Sequence, residues 1–302
     1  MSLEAVQPMQ EQDSLSFSPA RVWVIATNTM TEVIRQKVLY VFILFGLALC
    51  GASSFFTQFS FNEELKSIID TCLAAIKLLT ALIAVVGTAM LLPSEIENRT
   101  IYTILTKPVY RIEFLLGKVA GMSLLLFFVT IVMSVLFGAV LLLDEKALVS
   151  HTLQGTSLLQ ASDPVKQTIN AIYAQTRNPN LIKAIFLLYA QAVLLVSMTM
   201  MVSTFATSSL FSIIIMLVIY MCAPLATIAD EVWKSQPSIL GRVGLMFISF
   251  CIPDLSSMTL VDDVVAGKHV LMSYVLSTTG YAALYTLVVF ALGAFIFQEK
   301  EL

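Results

Sequence analysis

Six long apolar runs constrain this chain more than any other feature. They extend roughly over Val38–Phe56, Cys72–Leu92, Val119–Leu143, Ile182–Phe205, Leu210–Ile228 and Leu271–Phe297. A helix rising about 1.5 Å per residue needs about 20 apolar residues to cross about 30 Å of hydrocarbon. Backbone polar groups must be paired internally there, so runs of this kind are helices. Away from the run ends, the only charge inside them is Lys77. A soluble domain is about 45–50% apolar and about 25% charged. This chain is 58% hydrophobic and 12% charged, with mean hydropathy +0.88, so a soluble globular fold is excluded. The expected fold is all-α and polytopic, with six transmembrane helices.

Other classes drop out on charge and side-chain chemistry. A net charge of −3 without a basic cluster argues against nucleic acid as a partner. Cys50, Cys72, Cys222 and Cys251 are scattered in apolar surroundings with no C-x-x-C spacing, as small buried residues would be. His151 and His269 fall in polar stretches, and no cofactor or metal is expected. The start of the chain carries Glu4, Glu11 and Asp13 before any Lys or Arg, unlike a signal peptide. Residues 1–17 are read as a disordered cytosolic tail and 18–302 as a single transmembrane domain.

Orientation follows from the short loops. The joint before the second run holds Glu63, Glu64, Lys66 and Asp70, a net acidic set, whereas the next holds Arg99, Lys107, Arg111 and Lys118. Arg21, Arg35 and Lys37 add to the N-terminal side. Basic residues flank cytoplasmic span ends, so both termini are placed inside. Ser18-Pro19 is a helix start signal. Val22, Ala26, Met30 and Val33 then recur at helical spacing, with Arg21, Asn28, Glu32 and Arg35 on another face. This predicts an amphipathic elbow helix in the membrane surface, with Arg21, Trp23, Arg35 and Lys118 at the interface.

The two long outer segments are read differently. Asp144–Leu181 is polar, broken at Asp163-Pro164 and Asn178-Pro179, and should hold one or two short helices. In Asp230–Val270, Gly241, Arg242 and Gly244 interrupt an apolar stretch that stops at Pro253. Leu255–Val265 is expected to form a short outer-face helix closed by Gly267. The segment reads as interfacial or re-entrant, with a seventh crossing as the alternative. Pro224 should kink the fifth span.

The joint between the second and third runs carries the sharpest signal. Ser94 and Glu97 fit a capping box, and Pro108 fits a helix end. A second helix then starts near Val109 and carries Gly117 and Gly121, a pair that allows close helix approach. This segment resembles the cytosolic coupling region of permease subunits of ATP-binding-cassette type-2 transporters. The matching residues are Glu95, Glu97, Thr100, Ile104, Leu105, Pro108, Arg111, Leu115, Leu116, Gly117 and Lys118. Arg99 stands where many members carry glycine. The resemblance implies a membrane subunit without ATPase activity of its own, and the chain has no G-x-x-x-x-G-K-[ST] phosphate loop. It implies two copies of a cytosolic ABC ATPase as partners, met through Glu95, Glu97, Arg99, Thr100, Ile104, Leu105, Pro108 and Arg111. It also implies a second permease copy or paralogue, contact with membrane lipid, export, and residence in the bacterial cytoplasmic membrane.

Lys77, Thr199 and Ser203 are candidates for lining a translocation path. For Lys77, snorkelling or structural pairing is favoured over substrate contact. For Thr199, Ser203 and Thr207, helix packing is the better reading. Met198, Met200 and Met201 are read as apolar filler rather than a copper site. Two alternatives stay open beside the permease: a non-transporting subunit that transmits force, and an ion-coupled carrier.

Overall fold

The computed structural model describes residues 17–56, 64–97, 110–154, 163–206, 208–232 and 253–299, all helical or irregular, with no strand among them. Every apolar run named above is helical over these residues, save Leu271. Four helices are long and apolar enough to cross a membrane: Leu65–Pro93, Arg111–Ser150, Ile172–Phe205 and Met272–Glu299. A fifth is counted if the bent pair Pro19–Ile34 and Lys37–Ala52 makes one span. The chain is thus a multi-pass helical membrane protein.

Helix α1 (Pro19–Ile34) begins with proline in its first turn, after Ser18 in extended conformation. The Ser18 hydroxyl makes no cap bond. Val22, Ala26, Thr29 and Val33 form the buried face, whereas Trp23 is 60% exposed and Arg35, just past the helix, is exposed. At Arg35-Gln36 the chain bends by 68° into α2 (Lys37–Phe56), which is apolar all round. Leu39 and Cys50 of α2 are buried, while Val41, Leu44 and Phe45 point outward, as suits a lipid-facing helix.

Helix α3 (Glu64–Leu82) passes through a π turn (Ile83–Gly87) into α4 (Thr88–Glu97), with Pro93 inside α4. The capping-box expectation is corrected here. Ser94 does not open a new helix, because it lies within α4. Glu95 and Glu97 therefore fall in the last turn, at the negative end of the helix dipole rather than the positive one.

Helix α5 (Arg111–Gln154) is 44 residues long, about 66 Å at about 1.5 Å per residue. It runs past the expected span end at Leu143, through Asp144, Glu145 and Lys146. Helix α6 (Asp163–Thr176) folds back on it, and Arg177 meets the buried Glu145 at 3.4 Å. Asp163-Pro164, read as a break, is instead the first turn of α6. A short connection through Asn178-Pro179 leads to α7 (Asn180–Phe205). Helix α7 is buried along most of its length and packs against α3, α4 and α5.

Helix α8 (Ser209–Val232) contains Pro224. Residues 253–260 are irregular. Leu255, Met258 and Leu260 are buried, and α9 (Val261–Val265) packs on α3 and α7. The short helix here is only five residues long, less than the Leu255–Val265 expected. Gly267 follows at φ +72°, a left-handed position that closes α9 as anticipated. Helix α10 (Met272–Glu299) then packs along α7.

Candidate functional site

The segment with the strongest signal is flanked by a buried polar clasp. Tyr110 precedes α5 and Glu113 is its third residue. The Glu113 carboxylate accepts the Tyr110 backbone N–H at 3.3 Å, which is the return half of a capping box. It also accepts the Ser18 backbone N–H at 2.8 Å and pairs with Arg21 at 3.3 Å. Glu113 is fully buried, so one carboxylate ties the start of α1 to the start of α5. One turn further, Gly117 and Gly121 let the two helices touch. A Cβ at Gly117 would lie 2.6 Å from Ile25 Cγ2, and one at Gly121 would overlap the Ala26 carbonyl.

Lys118 forms the centre of the clasp. Its side chain is 2% exposed, and Nζ donates to Glu95 Oε1 at 2.7 Å. Glu32 of α1 stands 3.7 Å away, and the ammonium lies 5.4 Å from the Phe114 ring centroid. Burial pushes the Glu95 carboxyl above its ordinary pKa, although Lys118 pulls it back. A carboxylate at a helix C-terminus costs about 0.3–1 kcal/mol, whereas breaking a buried pair costs about 3–5 kcal/mol. The pairing therefore decides where Glu95 can sit. Arg111 completes the arrangement: its Nη1 donates to the carbonyls of Phe297 and Gln298, at 3.2 and 3.0 Å. Phe114 stacks on Phe297 at 6.4 Å between centroids. The ends of α1, α4, α5 and α10 meet in this one cluster.

The structure thus brings together Arg21, Glu95, Arg111 and Lys118 from the sequence reading. Lys118 is enclosed by protein rather than open to solvent, its side chain 2% exposed. Glu97 ends α4, while Arg99, Thr100, Ile104, Leu105 and Pro108 lie outside the described residues. Sequence reasoning did not single out Glu113. Its signal was available, as an acid three residues after the last non-helical position.

A second polar site lies between α3, α7, α8 and the 253–260 segment. Lys77, Gln191, Tyr220, Pro224, Leu255 and Ser256 line a cavity of about 180 Å³. Gln191 is 3% exposed, and its Oε1 accepts no hydrogen bond from the described residues. Lys77 is half-buried and forms no ion pair with any described carboxylate; Asp262 acts on its charge without direct contact. Thr199 and Ser203 are fully buried in α7. The Thr199 hydroxyl donates to the Leu195 carbonyl at 2.7 Å, and Ser203 Oγ has no partner among the described residues. Neither reaches this cavity. At the far end of α7, Lys183 donates to the Val270 carbonyl at 2.8 Å and Asn180 to that of Lys268 at 3.2 Å, fixing the α9–α10 connection.

The sequence profile of a family described as "ABC-2 family transporter protein" matches residues 23–302. No curated protein matches the chain.

Proposed function

This chain belongs to the ABC-2 transporter family, and from that premise we propose that it is a permease moving substrate at the expense of ATP hydrolysed by a separate cytosolic subunit. In this reading six spans cross a bacterial cytoplasmic membrane with both termini inside. Two permeases, identical or paralogous, pair and engage two ATPases, and substrate is exported or drawn out of the membrane. The α1 helix with its 68° bend into α2 is the elbow on the cytosolic surface.

The observation that carries the reading is the buried Glu95–Lys118 pair. It joins the end of α4 to the first turns of α5, on the two sides of the segment 98–109. A displacement of that segment by an ATPase reaches α4 and α5 as one body, and Arg111 passes it to α10. A loop on independent stalks would dissipate the same push. The Arg111 and Glu95 side chains act as braces within the chain, so contact with the ATPase falls to Arg99, Thr100, Ile104 and Leu105.

The test is gentle extraction of tagged protein, with wild type beside Ile104→Glu/Leu105→Glu. A stoichiometric cytosolic ATPase with the wild type, lost from a variant that still unfolds at the wild-type temperature, is the expected result. Equal recovery with both proteins would discard these contact residues. No ATPase with the wild type in several mild detergents would discard the permease reading in favour of a force-transmitting subunit or a carrier.

A further inference from the structure

We infer that the cavity under residues 253–260 binds a singly charged oxyanion carrying a hydrogen-bond donor, most simply the headgroup of an acidic phospholipid with hydroxyl groups. The binding itself does not depend on ATPase coupling; only the leaflet it faces rests on the topology proposed above.

Three observations carry this. The first is Lys77, a cation within the candidate span Leu65–Pro93, without an ion-pair partner among the described residues. A charge at that depth is costly unless it pairs or reaches water. The second is Gln191 Oε1, an acceptor with no donor among the described residues, in a side chain 3% exposed. A buried acceptor left unmade costs about 1–3 kcal/mol, so a ligand supplying a donor recovers it. The third is shape: at about 180 Å³ the cavity holds a group of several heavy atoms, and Tyr220 and Ser256 add hydroxyls to its wall.

The chemistry of the two unmet groups selects the ligand. Lys77 calls for an anionic oxygen, and Gln191 Oε1 calls for an O–H or N–H. A phosphodiester bearing a glycerol hydroxyl supplies both. Phosphatidylcholine supplies neither a donor nor net negative charge. The nearby acids do not fill the role. Asp262 makes no ion pair with Lys77, and Asp254 Oδ1 is occupied by the Ser256 and Ser257 backbone N–H groups at 3.0 and 3.2 Å. Residues 253–260 are held over the cavity from α10: Tyr281 accepts the Asp254 N–H at 3.2 Å, and Tyr274 donates to the Ser257 carbonyl at 2.7 Å.

The test places the full chain in phosphatidylcholine nanodiscs doped with phosphatidylglycerol and measures retained lipid by native mass spectrometry. Wild type is expected to retain phosphatidylglycerol. Lys77→Met should weaken retention by about tenfold to a hundredfold, the loss of one charge-assisted bond. Gln191→Glu places a carboxylate in the same cavity and should abolish retention while keeping the fold, as judged by thermal unfolding. Lys166→Gln, at an exposed site on α6, is the control and should retain as wild type does. Displacement of the lipid by inorganic phosphate would identify the free anion as ligand. Displacement only by competing lipid would identify the headgroup. Equal retention by wild type, Lys77→Met and Gln191→Glu would overturn the inference, as would equal retention of phosphatidylcholine. ATPase co-purification is read separately, so failure here leaves the permease reading standing, and the reverse.

Discussion

Replacing Lys118 with methionine isolates what the clasp contributes. The side chain keeps its length and loses its charge, and Glu95 is left as a buried anion 12% exposed. Glu32 lies 3.7 Å from Lys118 and is 34% exposed, so its share is small. Breaking a buried pair costs about 3–5 kcal/mol. Glu95 has an escape, since it can take up a proton. Neutralising a carboxyl of ordinary pKa about 4.3 at about pH 7 costs about 3.7 kcal/mol, at about 1.36 kcal/mol per unit. That sets the ceiling for Lys118→Met, equivalent to a fall in Tm of roughly 5–10 °C. At about pH 5 the same ceiling drops to about 1 kcal/mol, so acid should rescue the variant. The sign is consistent with the wild type. A carboxyl held above its ordinary value stabilises most below that value, and its contribution is lost as pH rises through the raised one. Adding Glu95→Gln should recover most of the loss, because a buried pair replaced by neutral groups is often neutral or stabilising. The assay is thermal unfolding of purified protein at the two pH values, as a double-mutant cycle. Equal loss at both pH values, or a double variant no better than Lys118→Met, would refute a buried Glu95–Lys118 pair.

Two further outcomes follow from the same region. Glu113→Ala removes the buried carboxylate that accepts the Ser18 and Tyr110 N–H groups and pairs with Arg21, and should lower stability by about 3–5 kcal/mol, with early proteolysis near the N-terminus as the readout. Gly121→Ala drives a methyl into the Ala26 carbonyl and should cost about 1–3 kcal/mol by thermal unfolding; Gly46→Ala meets only the flexible tips of Leu79 at 2.8 Å and Met133 at 3.1 Å and should cost less.

The apolar runs were legible because hydrophobic length is a local signal, and so were the start at Pro19 and the closure at Gly267. What escaped the sequence is pairing at a distance. Lys118 reads as an interfacial cation until Glu95, on another helix, is placed against it. Asp144, Glu145 and Lys146 read as the end of a span, yet none of them breaks a helix, and α5 continues through them to Gln154, with Arg177 returning to Glu145. Ser94 and Glu97 satisfy the capping pattern, but Pro93 is tolerated inside α4, so the pattern has no helix start to mark. Of the cavity, Pro224 and Leu255 were visible only as a kink and a helix start, and Lys77 as a charge out of place. Its partners come from α7, α8 and the chain beyond residue 252, and no spacing rule links them.

The π turn at Ile83–Gly87 bears on how this chain tolerates insertions and deletions. Such a turn takes up about one residue more than the α-helix around it. Lys77 lies on one side of it, lining the cavity, and Glu95 on the other, paired with Lys118. Removing one residue within 83–87 would let the helix revert to regular winding, with both side chains still on their present faces. Removing one anywhere else between them would rotate one end by about 100° against the other. Natural variants of this helix that are one residue shorter should therefore have lost that residue at the bulge.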